Sequence, residues 1–231
     1  TTLLPGEAAE LHRHCGALRT LVVFRAPHGP ALEDAIRAAR RLGAEVVFDV
    51  DDLTFDPALA PEIKALATMA AGEREATLTG LRLYRESLLL ADAVTGSTAA
   101  IADAARALGR PAHVVPNTHG PFERLLAART VDARPAGTVT LGYFSGTWTH
   151  GADFARMGPP LLAALRRHGH LRLLVAGTLH LPPEWDAVAA QVERAPLLPH
   201  PLMLALHGRV DVALAPLEHG LRFCEAKSEL K

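Results

Sequence analysis

Val139, Leu141 and Tyr143 alternate with smaller or polar residues, the period-two rhythm of a strand. The rhythm stops at Ser145-Gly146-Thr147, and further on Phe154, Met157, Leu161, Leu162 and Leu165 set out one apolar helical stripe. The pattern predicts a strand near 138–144, a loop of small residues, and a helix over 153–168 with Asp153 at its N-cap. A strand, a small-residue loop and a helix start together suit an anion, because unpaired N–H groups and the positive end of the helix dipole meet there. The same junction also serves as an ordinary turn in α/β folds.

The earlier residues repeat this alternation. Residues 1–19 read as a helix with a polar face; His12, His14 and Cys15 lie on it at spacings that do not share one face for a metal. Leu21 to Phe24 is a short apolar strand ending at Arg25, followed by a Pro/Gly loop and a helix over 30–42 that Gly43 ends. A strand over 45–50 closes on Asp49, Asp51 and Asp52; two of these carboxylates on one face would suit a metal, and capping of the next helix suits them better. A helical stretch over 58–91, broken near Gly72, carries an apolar stripe on which Tyr84 reads as core. A strand at 93–95, a helix capped by Ser97 or Thr98 and stopped by Gly109, and a strand at 112–115 follow, ending at Pro116-Asn117. The order strand–helix–strand implies parallel pairs joined by right-handed crossovers.

Residues 129–137 lose the apolar rhythm and read as a linker. A second alternating series begins at Thr138, with strands near 138–144, 171–176 and 210–215, a helix near 200–207, and a helix beginning at Phe223. The expectation is an α/β protein of two Rossmann-like domains, 1–128 and 138–231, both incomplete.

Composition narrows the function classes. The 231 residues are 49% hydrophobic, enough for a sizeable core, and the net charge of −1 gives no general attraction to nucleic acid or an anionic membrane. No apolar run approaches the roughly 18 residues that span a bilayer. Two cysteines, Cys15 and Cys224, argue against a disulfide framework and suit a reducing, cytoplasmic setting. No G-x-G-x-x-G follows the first strand, which disfavours a dehydrogenase.

Four stretches taken together resemble the GT-B glycosyltransferases, in particular the glycosyltransferase family 4-like enzymes of polysaccharide and O-antigen assembly. They are FDVDD at 48–52, ADAVTGST at 91–98 with HVVPN at 113–117, GYFSGTWTH at 142–150, and DVALAPL at 211–217 with FCEAKSELK at 223–231. Their order and spacing agree over residues 20–231. Relative to that family the chain looks truncated at both ends, as a fragment would. The resemblance implies a GT-B arrangement and transfer of a hexosyl group from a nucleoside-diphosphate sugar to a glycan or glycolipid acceptor, without a metal cofactor. It implies no nucleic-acid partner and allows peripheral membrane association through the acceptor. A non-catalytic sugar-nucleotide or carbohydrate-binding module is the alternative. A GT-A enzyme using the aspartates as a metal site is a weaker one.

Transfer of this kind develops negative charge on the leaving phosphate, which backbone amides, a helix N-terminus and cations stabilise. The resemblance therefore puts Ser145, Gly146 and Thr147 on the diphosphate, with Lys227 as a point charge and Ser228 as a hydroxyl. His150 stands where related enzymes carry a basic residue in the phosphate loop; protonated, it would assist the leaving group, and the alternative is a purely structural loop histidine. Glu225 and Glu229 are the nearby carboxylates for ribose or sugar hydroxyls, or else part of a solvated helix face. Asn117, Arg25 and Asp49 fall on the acceptor side; Asn117 faces the cleft or only caps the following turn, and Arg25 meets an acceptor or pairs with Asp49. Trp148, inside the loop, is a candidate to stack on a ring or, equally, an aromatic lid with no partner.

Overall fold

The computed structural model describes residues 18–67, 69–130, 137–146, 151–218 and 220–228. The chain divides into two compact units, one of 1–117 with 219–231 and one of 118–218. Composition had suggested a linker at 129–137; the chain divides instead after Asn117, and its last segment groups with the first unit.

In unit 1, four strands, β1 (Thr20–Phe24), β2 (Glu45–Val50), β3 (Ala93–Gly96) and β4 (Ala112–Val114), pair in parallel in the order β1-β2-β3-β4. Between them run α1 (Pro30–Arg41), α2 (Ala71–Leu90) and α3 (Ala99–Ala107). Right-handed crossovers that advance in one direction put every connecting helix on the same face. That face carries Val23, Val46, Phe48, Val50 and Val94, packed with Leu32 and Ile36 of α1, Leu88 of α2 and Ile101 and Ala105 of α3. The opposite face leaves Val22 and Phe24 exposed at the β1 edge. The helical stretch expected over 58–91 is two short 3-10 turns, Pro57–Glu62 and Lys64–Ala67, before α2 begins. Asp56, not Asp51 or Asp52, caps the first of them, its carboxylate accepting from the Ala58 N–H at 3.0 Å. Thr98 caps α3 as expected, accepting from the Ile101 N–H. A short helix, α7 (Arg222–Glu225), belongs to this unit as well.

Unit 2 begins with α4 (Pro121–Thr130), a helix the sequence pattern did not reveal because its apolar residues form no clean stripe. Then come β5 (Val139–Ser145), α5 (Gly151–Arg167), β6 (Leu171–Gly177), a 3-10 segment Pro183–Gln191, β7 (Val192–Ala195), α6 (His200–His207) and β8 (Val212–Leu214). All pairs are parallel and the order is β7-β6-β5-β8. The chain thus steps outward from β5 to β6 and β7, then returns to place β8 on the other side of β5. Leu141 and Tyr143 face α5 and the 3-10 segment, in a core with Phe154, Leu165, Leu173, Val175 and Trp185. Gly142 and Phe144 face α6, where the Phe144 ring stacks on His207 at 3.7 Å between centroids. α5 runs through Pro159 and Pro160, each lacking an amide donor. Burial of Leu161, Leu162 and Leu165 on its inner stripe holds it together.

Candidate functional site

In an open α/β sheet, ligands collect outside the carboxyl ends of the strands where the strand order reverses. In unit 2 that point lies between β5 and β8. β5 reaches it at Ser145, whose side chain is buried, and Gly146 follows in the open. The neighbouring β6 ends at Gly177 with φ +99, and a Cβ there would lie 1.9 Å from the Ser145 carbonyl oxygen. Only glycine permits that approach. It lets the Ser145 carbonyl accept from the Thr178 N–H at 3.2 Å, so the two strand ends are tied. A Cβ on Gly146, by contrast, would meet no atom of the described residues within 4 Å.

The helix after the loop is fixed by an aromatic cluster. Phe154, in the first turn of α5, meets Tyr143 edge-on at 4.9 Å and Trp185 at 5.5 Å. This anchors the start of α5 behind the end of β5. The helix begins at Gly151, so Asp153 lies inside its first turn and is not the expected N-cap. There its charge still complements the dipole. Burial, and then the Asp153 carboxylate, push the Tyr143 phenol up to about 12. On the far side of the crevice the segment after β8 carries Glu218, which meets the Arg156 guanidinium of α5 at 3.3 Å. This pair spans the point where the strand order reverses. Sequence reading passed over both residues, although Glu218 directly follows the DVALAPL stretch.

Unit 1 gathers charged groups at the carboxyl edge of its own sheet. Arg25 follows β1 with φ 42, a left-handed conformation that costs a non-glycine residue about 1 kcal/mol or more. Its N–H donates to the Asp49 carbonyl at 3.1 Å, and its guanidinium donates to the Asp51 carboxylate at 2.9 Å. Of the two readings for Arg25, an acceptor contact or a pair with Asp49, the side-chain pair forms with Asp51 instead. Asp49 still lies on β2 with its side chain on the exposed face, and accepts from the Thr95 hydroxyl at 2.6 Å. Asp51 falls after the strand, so the two carboxylates do not share a face as a metal pair would need. Among the described residues no group of three or more His, Cys, Asp or Glu is arranged to hold a metal ion.

Lys227 also belongs to this unit. Its ammonium donates to Asp52 at 2.5 Å, with 13% and 11% of the two side chains exposed, and it lies 4.4 Å from the centre of the Phe223 ring. The surrounding segment is held at further points. The Thr98 hydroxyl donates to the Ala226 carbonyl at 3.0 Å, Ala226 is fully buried, and Arg222 meets Glu62 at 3.4 Å. Glu225 folds back to accept from the Gly220 N–H at 3.2 Å, and Ser228 is half-buried. Asn117 follows β4 at the same carboxyl edge. Thr147, Trp148, His150 and Glu229 lie outside the described residues, as do His12, His14 and Cys15. The structure thus brings Arg25, Asp49, Asn117, Glu225, Lys227 and Ser228 into unit 1, and Ser145 and Gly146 into unit 2.

No family model matches this chain. No curated protein matches it either. Solved structures do. One described as a UDP-N-acetylglucosamine 2-epimerase from Listeria monocytogenes aligns with 90% of this chain and 55% of its own, at 9% identity and a TM-score of 0.51. Anabaena HepE, in complex with UDP and glucose, aligns with 89% and 54% at 14% identity and a TM-score of 0.49. A UDP-glucosyltransferase from Polygonum tinctorium aligns with 84% and 52% at 16% identity and a TM-score of 0.42. The chain spans about half the length of these proteins. The first likeness is one of fold: two successive Rossmann-like α/β units, the GT-B class.

Proposed function

We propose that the protein binds a nucleoside-diphosphate sugar at the carboxyl ends of β5 and β8 and transfers its hexosyl group to a polysaccharide or glycolipid acceptor. The observation that carries this reading is the reversal of strand order beside β5, with Ser145, Gly146 and the start of α5 at the reversal. The anomeric C–O bond of the donor breaks, the nucleoside diphosphate leaves with the bonding electrons, and the acceptor hydroxyl gives up its proton as the new bond forms. Amides after β5 and the positive end of α5 would meet the growing charge, each good donor contributing on the order of 3 kcal/mol. Thr147 and His150, between β5 and α5, supply a hydroxyl and a general-acid candidate in this scheme. Arg156 lies beside this site, its charge balanced by Glu218. The reading needs no metal ion. It rests on the residues of unit 2, since Glu225 and Lys227 are engaged within unit 1, to which Ser228 also belongs. Arg25 and Asp49 are the acceptor-side candidates, and an acceptor held in a membrane would bring the protein to the cytoplasmic membrane surface.

Isothermal titration with UDP tests the donor site. Gly146→Ala adds a Cβ that meets no described atom within 4 Å, so it should leave the fold unchanged while lowering nucleotide affinity at least about tenfold by blocking close approach. No binding of UDP or of any other nucleoside diphosphate would end the reading. The Listeria likeness favours a second reaction on the same ligand class, epimerisation of the bound sugar. Product analysis separates the two: nucleoside diphosphate released only with acceptor supports transfer, and a changed sugar configuration supports epimerisation. Binding without either product would favour a binding module.

A further inference from the structure

We propose that the amino edge of the unit 2 sheet, opposite the crevice just described, holds a second binding site for a small carboxylic acid with an apolar body. A cavity of about 380 Å³ opens there, within the roughly 300–1,000 Å³ range of small-molecule sites. It lies on the face of Thr140, Arg172, Leu174 and Glu193, which register pairing places on one side of the sheet, away from the α5 core. Its floor is apolar, with Leu174 almost fully buried. Arg172 is the polar anchor. Its Nη1 donates at 2.8 Å to both the Gly169 and Leu171 carbonyl oxygens, which fixes the guanidinium plane. Among the described residues the Nε–Nη2 edge has no hydrogen-bond partner, and that edge is the fork that grips a carboxylate with two parallel bonds. Arg209 also lines the cavity, but its charge is balanced by Glu193 at 2.7 Å. One net positive charge beside apolar walls suits a monoanion with an apolar tail; a phosphate dianion would meet the Glu193 carboxylate with too little compensating charge. This inference does not depend on the sugar-nucleotide reading.

The test is a titration of the whole chain with octanoate and with phenylacetate, followed by the Arg172 Nε–H signal and by backbone amides 172–174 in proton–nitrogen spectra. Inorganic phosphate serves as the comparison. Saturable shifts with the acids are expected, weakened at least about tenfold by Arg172→Gln. Thr140→Met fills the cavity and leaves the Arg172 anchors intact, so it should cause the same loss even if the arginine variant fails to fold. No saturable shift with either acid, tighter binding of phosphate than of the acids, or unchanged affinity in Thr140→Met would overturn the site.

Discussion

Tyr143 shows how one residue reports the packing of the candidate site. Its ring is wedged between Phe154 and the sheet, and its phenol is pushed up from 10.0 to about 12, chiefly by burial and further by the Asp153 carboxylate. A group whose ionisation is raised on folding lends stability that is complete below its unfolded value and is lost as pH climbs through the folded one. The urea midpoint should therefore hold up to pH 10 and fall between there and about 12. Tyr143→Phe keeps the ring contact and removes the phenol, so its midpoint should fall less steeply over that window. An identical alkaline slope in the variant would show that the loss arises elsewhere. Gly177 illustrates the opposite limit of legibility. Nothing around it in the sequence says that a carbonyl from a strand over thirty residues earlier will sit where its side chain would be.

At the scale of the element, the segment 220–228 is the clearest case of one stretch serving a different neighbour from the one its sequence suggests. Its motif EAKS sits next to DVALAPL in the chain, yet the Lys227 ammonium is taken up by Asp52 and the Ala226 carbonyl by Thr98. Lys227→Ala would leave the mostly buried Asp52 carboxylate without its ammonium partner, and loss of one member of a buried pair destabilises by about 3–5 kcal/mol. The urea midpoint of the unit 1 transition should drop accordingly. The double variant Asp52→Asn/Lys227→Met removes both charges and should regain most of that stability. A double variant no more stable than Lys227→Ala alone would mean that the ion pair is not what the single substitution breaks. The segment's remaining ties, Arg222 to Glu62 and the burial of Ala226, are left intact in both variants.

Two separate cores define the whole molecule. One is centred on Phe48, Leu88 and Ile101, the other on Phe154, Leu165, Leu173 and Trp185. Both tryptophans, Trp148 and Trp185, fall within the residue range of unit 2, so tryptophan fluorescence reports that unit while far-ultraviolet circular dichroism reports both. Unfolding followed by the two probes should give transitions that do not coincide. Phe48→Ala, worth about 3–5 kcal/mol in a close-packed core, should shift the dichroism transition and leave the fluorescence midpoint in place. Equal shifts in both probes would instead make the chain a single cooperative body.

The sequence alone determined the elements and their alternation. Strand and helix periodicities are local, so β1 to β3, α1, α3, β5, β6 and α6 stand close to where their apolar rhythm put them, and Thr98 caps α3 as its position required. It also brought Ser145 and Gly146 forward as the end of a strand before a helix. Elements without a clean stripe, α4 and β7, escaped it, because their exposure follows from neighbours and not from their own period. Tertiary structure alone decided which partners the charges take: Arg25 with Asp51, Lys227 with Asp52, Arg156 with Glu218. It alone decided that β8 returns beside β5 and so makes the crevice. Pairing order and ion pairing join residues tens to more than a hundred positions apart, and the free energy that selects among such pairings comes from packing the whole unit, which no local pattern records.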